Sequence, residues 1–353
     1  MRGRPLASAA SGATFAKTRG SPTLSRRLIA AALALLALPG AALAACTGTD
    51  LIAALPAETR ADLTARAEAV PFARGNFWQA RRGDETVTLV GTFHLDDPRH
   101  AETMAWLDPL IAGATTVLVE AGAQEEAALK ARLAKEPDLL LQDGPTLPER
   151  LPPEDWAALS EALNARGVPA FMGARMKPWY ISAILAVPPC MMPMQDGMNG
   201  LDARVIEAAD SHGIPVRALE PYDTILGLFE GFTPDEEVAL LHAAIAAKSD
   251  SGDEAVTTAE AYFRGDSQLL WEFSRHTALT TPGVDPATAA TALDETQKTL
   301  IDARNRAWIP VIEEAAAQGP VVAAFGALHL PGSEGVLNLL QRNGWTVTPF
   351  SPG

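Results

Sequence analysis

The sequence predicts an α/β fold, a parallel or mixed sheet surrounded by helices, and three observations point to it. Val87–Val90, Thr116–Glu120 and Val321–Phe325 are short β-branched or apolar runs bounded by polar, Gly or Pro residues, the form of strands buried on both faces. Segments between them carry apolar residues at helical spacing. A helix-then-strand order joined by Gly213-Ile214-Pro215 is the rhythm of an α/β unit.

In chain order, Phe77–Ala80 and Thr86–Val90 flank Arg81-Arg82-Gly83-Asp84 and read as a hairpin. Ala101–Ala112 reads as a helix, with Met104, Leu107, Leu110 and Ile111 on one face, and Thr116–Glu120 as the next strand. Helices follow at Glu125–Lys135 and Glu154–Arg166, separated by the breaker Leu151-Pro152-Pro153, and Val168–Met172 reads as a strand. Leu201–His212 is a helix stopped by Gly213, and Ile214–Leu219 a strand ending on Glu220. From Pro234 to Gln318 the pattern is almost wholly helical, interrupted near Thr281-Pro282-Gly283-Val284, and predicts a helical lobe over the sheet. Trp271, Phe273 and Trp308 are its packing residues. The chain returns through Gly319-Pro320 to the Val321–Phe325 strand, a helix at Glu334–Arg342 and a closing strand at Trp345–Phe350.

The first 45 residues hold six Lys or Arg, no acid, and the apolar run Leu28–Leu38 before Ala42-Leu43-Ala44. This is the pattern of a secretory signal peptide, too short for a membrane span of about 20 residues. Its removal leaves 22 basic against 43 acidic residues, a formal charge of −21. Nucleic acid and anionic membrane surfaces are thereby excluded as natural partners, and no other apolar run approaches a span. The two cysteines, Cys46 and Cys190, are expected to pair in an oxidising compartment, periplasmic or secreted. The alternative is that Leu43-Ala44-Ala45-Cys46 is a lipobox, with Cys46 lipidated and Cys190 free.

Two stretches share one design: Val90-Gly91-Thr92-Phe93-His94-Leu95 and Phe325-Gly326-Ala327-Leu328-His329-Leu330. In each, an apolar strand ends on a Gly that lets the backbone turn or approach closely, and a His follows three residues later. Such sheets gather functional side chains beyond the carboxyl ends of their strands, so His94 and His329 can meet although 235 residues separate them. Read singly, either histidine is an ordinary hydrogen-bonding residue; the repetition is what argues for a shared site.

Asp96, Glu120 and Glu220 stand at the same kind of position. Two imidazoles with carboxylates form a ligand set for Mn, Co, Fe or Zn, which would activate water for hydrolysis. Arg304 and Asn305 fall inside the last long helix, and Arg304 is a cation suited to orient a carboxylate or stabilise an oxyanion. His100, His212, His242 and His276 lie in helical or helix-end contexts and are left out of the site. There is no His-Glu-x-x-His, Gly-x-Ser-x-Gly, phosphate-binding Gly-x-x-x-x-Gly-Lys or Cys-x-x-Cys, which disfavours zincin, α/β-hydrolase, P-loop and thioredoxin chemistry.

The paired motifs Gly91–His94 and Gly326–His329, with Val117-Leu118-Val119-Glu120, Leu219-Glu220 and Arg304-Asn305 in that order, resemble the TraB/GumN family. Lys177-Pro178-Trp179, Gly200-Leu201-Asp202 and Gly344-Trp345-Thr346-Val347 add to the likeness. It runs from about Asp50 to the C-terminus, so residues 46–353 are expected to be a single domain with 234–318 as a helical insertion. The resemblance implies a fold shared with Tiki proteases and the erythromycin-esterase/ChaN-like group: a central mixed sheet from two related α/β halves. It also implies metal-dependent peptidase chemistry, with Mn or Co favoured and Zn as a further candidate. His94, Glu120 and His329 would be the metal ligands, Glu120 or Glu220 the general base, and Glu220, Arg304 and Asn305 supporting residues. The expectation is thus an exported metal-dependent hydrolase acting on a peptide or protein. Its rivals are a non-catalytic metal- or haem-binding protein, as ChaN-like relatives suggest, and a metal-independent esterase. The resemblance assigns no oligomeric state.

Overall fold

Strand formation follows the apolar runs, and the computed structural model of the chain assembles them into one mixed six-stranded sheet. It describes residues 46–192, 199–224, 226–227, 232–246, 252–281 and 285–350. The signal peptide assigned to 1–45 and the break at 282–284 lie outside the described residues. The strands are β1 (Phe77–Arg82), β2 (Glu85–Thr92), β3 (Thr116–Val119), β4 (Val216–Ala218), β5 (Val321–Gly326) and β6 (Thr346–Pro349), in spatial order β4-β3-β5-β2-β1-β6. Pairing is parallel from β4 to β2 and antiparallel from β2 through β1 to β6. Arg82 pairs with Glu85, so the hairpin turn is two residues long, and Gly83 takes φ +59° at its first central position, as a II′ turn requires.

The alternating side chains of the central strands feed two cores. Leu89, Leu118, Ala323 and Phe325 pack against Trp308 and Ile312 of the helix Ala303–Ala316 and against Leu337 and Leu340 of the helix Val336–Arg342. Val90, Val117, Val119 and Val322 pack on the other face against Leu107 and Ile111 of His100–Ala112 and Leu201 and Val205 of Leu201–His212. Burial on both faces explains why these strands read as continuous apolar runs, each large side chain contributing about 1.5–3 kcal/mol.

The helices expected from 234 to 318 are present but divided among different neighbours. Leu241 of Pro234–Ala246 joins Leu147, Leu159, Leu163 and Ile181 in a third core. Gly252–Phe263 lays Ala259 and Tyr262 on Phe93 and Ala327, directly under the first His motif. The strand expected at Val168–Met172 is not formed: Ala170–Gly173 is a short helix entered from Pro169. Proline presets φ and withholds an amide, and Phe171 and Met172 are 77% and 48% exposed, so no sheet burial compensates.

Cys46 and Cys190 form a disulfide, with Cα atoms 5.4 Å apart, which sets aside the lipidated-cysteine alternative. No described helix is long and apolar enough to cross a membrane.

Candidate functional site

Parallel register brings the two motifs side by side. Thr92 lies opposite Gly326 and Gly91 opposite Phe325 across β2 and β5, while Val119 lies opposite Ala324 across β3 and β5. His94, Glu120 and His329 therefore leave adjacent strands at one end of the sheet. Close approach is what the motif glycines supply. A β-carbon on Gly91 would fall 2.6 Å from Leu330 Cδ1 and 3.0 Å from the Ala327 backbone. One on Gly326 would fall 3.2 Å from Glu120 Oε1, 3.3 Å from His94 Nε2 and 3.7 Å from His329 Cδ2. The bare Gly326 thus marks the point where the three side chains converge.

His94 is half-exposed, and its Nδ1 lies 3.1 Å from Asp202 Oδ1. The carboxylate accepts the hydrogen bond of Nδ1–H and leaves the Nε2 lone pair facing Glu120 and Gly326. Burial pulls the His94 pKa down, but the Asp202 hydrogen bond and the charges of Asp202 and Glu120 outweigh it, and the net shift is upward. The backbone beneath is clamped: Leu201 N–H donates to Phe93 O at 2.9 Å, and Gly200 meets the His94 backbone too closely to carry a side chain. Tyr262 OH donates to Gly91 O at 2.9 Å from the opposite side.

Glu120 accepts from the Gly326 amide at 2.6 Å through Oε1 and from Arg304 Nη2 at 2.6 Å through Oε2. Burial alone would raise its pKa; the imidazoles of His329 and His94, the Arg304 guanidinium and the Gly326 amide reverse this and hold it at about 2. His329 is only 4% exposed, and its ring lies 4.4 Å from that of Trp308. Its Nδ1 donates to Asn305 Oδ1 at 2.6 Å, while Nε2 receives a long contact from Arg304 Nη1 at 3.4 Å. Burial, reinforced by Arg304 and His94 against the pull of Glu120, lowers its pKa to about 4, so the ring is neutral at pH 7.

Arg304 and Asn305 begin the helix Ala303–Ala316 straight after a π-helical turn, Gln297–Asp302, a distortion that recurs at functional sites. Arg304 spends all its donors in the protein. Nε and Nη2 reach Glu220, Nη2 also reaches Glu120, and Nη1 reaches Leu300 O and His329. Trp308 Nε1 donates the remaining bond to Glu220 Oε2 at 3.0 Å. Glu220 is therefore the counter-ion that aims Arg304, and neither oxygen is left to act as a base. Arg304 in turn has no N–H left for an oxyanion, so it positions Glu120 and His329. Asn305 is fully buried and ties the loop down through Glu334 O at 2.8 Å.

The structure thus unites Gly91, His94, Glu120, Glu220, Arg304, Asn305, Gly326 and His329. Asp96 does not join them: it is 65% exposed and pairs with Arg204 at 2.7 Å, because the chain turns away after His94. His100 supports the loop from below through Leu95 O at 3.0 Å, and His212 and His242 pair with Asp108 and Asp155. Asp202 and Trp308 join the site beyond the residues the sequence assigns to it, and the Gly200-Leu201-Asp202 stretch is the signal for the former.

Among the described residues, no group of three or more His, Cys, Asp or Glu side chains is arranged to hold a metal ion. Arg304 Nη2 stands 2.6 Å from Glu120 Oε2 and Nη1 3.4 Å from His329 Nε2, so a divalent ion held by these side chains would require the guanidinium to move.

The model of one protein family, TraB/PrgY/gumN, matches residues 76–349, a span that contains every strand and every residue of this site. No curated protein matches the chain.

Proposed function

The chain belongs to the TraB/PrgY/gumN family, and from that premise we propose that it is an exported hydrolase that cleaves amide or ester bonds in peptides at the His94–Glu120 centre. The observation that carries this reading is a half-exposed imidazole oriented by Asp202, with its Nε2 facing an ionised, half-buried Glu120. The Asp202 hydrogen bond and charge raise the basicity of His94, which strengthens it as a proton acceptor. Water held between His94 Nε2 and Glu120 Oε1 gives a proton to Nε2 as its oxygen attacks the carbonyl carbon. The imidazolium, stabilised by Asp202 and Glu120, then returns that proton to the leaving nitrogen or oxygen as the bond to carbon breaks. Arg304 and Asn305 hold Glu120 and His329 in place throughout. Export is supported by the Cys46–Cys190 bond together with the basic and apolar leader.

A second reading, metal-dependent peptidase chemistry, is favoured by the approach of two imidazoles and a carboxylate to the Gly326 position. It requires Arg304 to release Glu120. Cleavage of a fluorogenic peptide library by the mature chain, with and without chelator, separates the two. Chelator-resistant turnover that falls about 10²–10⁴-fold in His94→Gln supports the first reading. Turnover abolished by chelator and restored by Mn, Co or Zn supports the second. No turnover under any of these conditions contradicts both.

A further inference from the structure

Strand β4 closes one side of the sheet, and nothing pairs with its outer edge among the described residues. Val117 N–H donates to Pro215 O, and Leu219 N–H donates to Val119 O, with Val117 opposite Val216 and Val119 opposite Ala218. In a parallel ladder this register turns the Pro215 carbonyl, the Arg217 amide and carbonyl and the Leu219 amide toward β3. It turns the amide and carbonyl groups of Val216 and Ala218 outward. Among the described residues no strand covers the edge and its strand carries no lysine, a device that often blunts exposed edges. It forms the floor of a slot of about 940 Å³.

The slot has an apolar wall on each face of the sheet. Half-buried Ile206 lies on one side, at the margin of the core beneath Leu201–His212, and half-buried Val311 on the other, at the margin of the core beneath Ala303–Ala316. A strand added here would alternate its side chains between these walls. The lining carries Glu125 and Asp210, and also Glu220, whose charge Arg304 already balances; its one arginine, Arg217, has Glu314 at 3.6 Å. Its lining includes Gly122, Glu220 and Pro221, just past the ends of β3 and β4, the former leading directly into Glu120. Glu220 belongs to both, lining the slot and holding Arg304 in the candidate centre.

We infer that an extended segment of the polypeptide substrate docks as an added strand on the outer edge of β4, held by the backbone groups of Val216 and Ala218, with apolar and basic side chains preferred. This rests on the hydrolase reading above and names its substrate class and binding surface. Main-chain bonding gives affinity for an extended chain of loose sequence, and the acidic lining favours cations over acids. A folded protein would be engaged only through an exposed or unfolded strand.

The test measures binding, so that it is independent of cleavage. A fluorescein-labelled octapeptide of alternating Val and Lys is titrated against the mature protein and followed by anisotropy. Versions N-methylated at the odd or at the even positions are then compared. Strand addition predicts that one set loses at least about tenfold in affinity while the other stays within about twofold, because only alternate amides face β4. Ala218→Pro removes an outward amide and no ladder bond, and it should weaken the unmodified peptide by about tenfold without lowering the unfolding midpoint. The methylation pattern, read on wild-type protein, stands even where that variant folds poorly. Equal losses from both methylated sets, or no saturable binding, would overturn the inference. So would a wild-type dimer in sedimentation that Ala218→Pro converts to monomer, since a second copy would then occupy the edge. Period-two binding without turnover would overturn the hydrolase reading and leave the edge site standing; turnover without period-two binding would do the reverse.

Discussion

Glu120→Gln is the substitution whose cost can be worked out from the structure in two ways. The carboxylate accepts two short bonds, from the Gly326 amide and from Arg304 Nη2, both at 2.6 Å. An amide side chain has one oxygen to offer, so one donor would face an NH₂ group instead. Losing one bond to a charged group in a buried site costs about 1.5–3 kcal/mol. Separately, holding the Glu120 carboxyl at about 2 instead of its ordinary 4.5 stabilises the fold by at most about 3 kcal/mol at pH 7, because the His329 charge that helps to lower it is present only once that ring protonates near pH 4. The side chain is only 21% exposed, so solvent screening reduces this little. Because the folded value lies below the unfolded one, the stabilisation is complete above pH 4.5 and is lost as pH falls toward about 2. At most about 1.4 kcal/mol of it is gone by pH 3.5. Urea unfolding of the chelator-treated, disulfide-intact protein should show Glu120→Gln less stable than wild type by about 1.5–3 kcal/mol at pH 7. The gap should narrow on acidification, whereas the surface control Glu126→Gln should show neither effect. A gap below about 1 kcal/mol at pH 7, or one that widens toward pH 3.5, would refute the role given to Glu120.

Other consequences follow from the same contacts. His329 should remain neutral until about pH 4, so its contribution to stability is present above pH 6.5 and falls as pH drops between those values; imidazole ¹⁵N shifts report it directly. Asn305→Ala leaves the buried His329 Nδ1–H unpaired and should cost about 1–3 kcal/mol in urea unfolding. Gly326→Ala puts a methyl group where His94, Glu120 and His329 converge; it should cost about 1–3 kcal/mol yet reduce turnover about a hundredfold. Cys190→Ser opens a link between residues 144 apart and should cost about 2–5 kcal/mol, read as a lower unfolding midpoint.

Much of the sheet was legible because its signals are local. The runs at Val87–Val90, Thr116–Glu120 and Val321–Phe325 are apolar on both faces, and only two-sided burial rewards that pattern. The meeting of Gly91–His94 with Gly326–His329 could be anticipated because strands of one sheet deliver their ends to one place. Val168–Met172 misled because an apolar run looks the same in a strand and in an exposed turn of helix, and Pro169 was the overlooked sign. The roles of Glu220 and Arg304 were hidden for a different reason. Whether Glu220 is a base or a counter-ion depends on Trp308 Nε1 and on Arg304 Nε and Nη2, which converge on it only in the folded chain. Asp202, two residues into a helix, had an ordinary explanation as an acid favoured at a helix N-terminus.

The most direct test of the account is peptide-library cleavage at pH 7 by the mature chain, His94→Gln and Asp202→Asn, each with its disulfide intact. The account predicts turnover by wild type, a loss of about 10²–10⁴-fold in His94→Gln, and in Asp202→Asn a reduced rate whose ascending pH limb moves to lower pH. Turnover unchanged in both variants would show that the chemistry lies elsewhere and contradict the central claim.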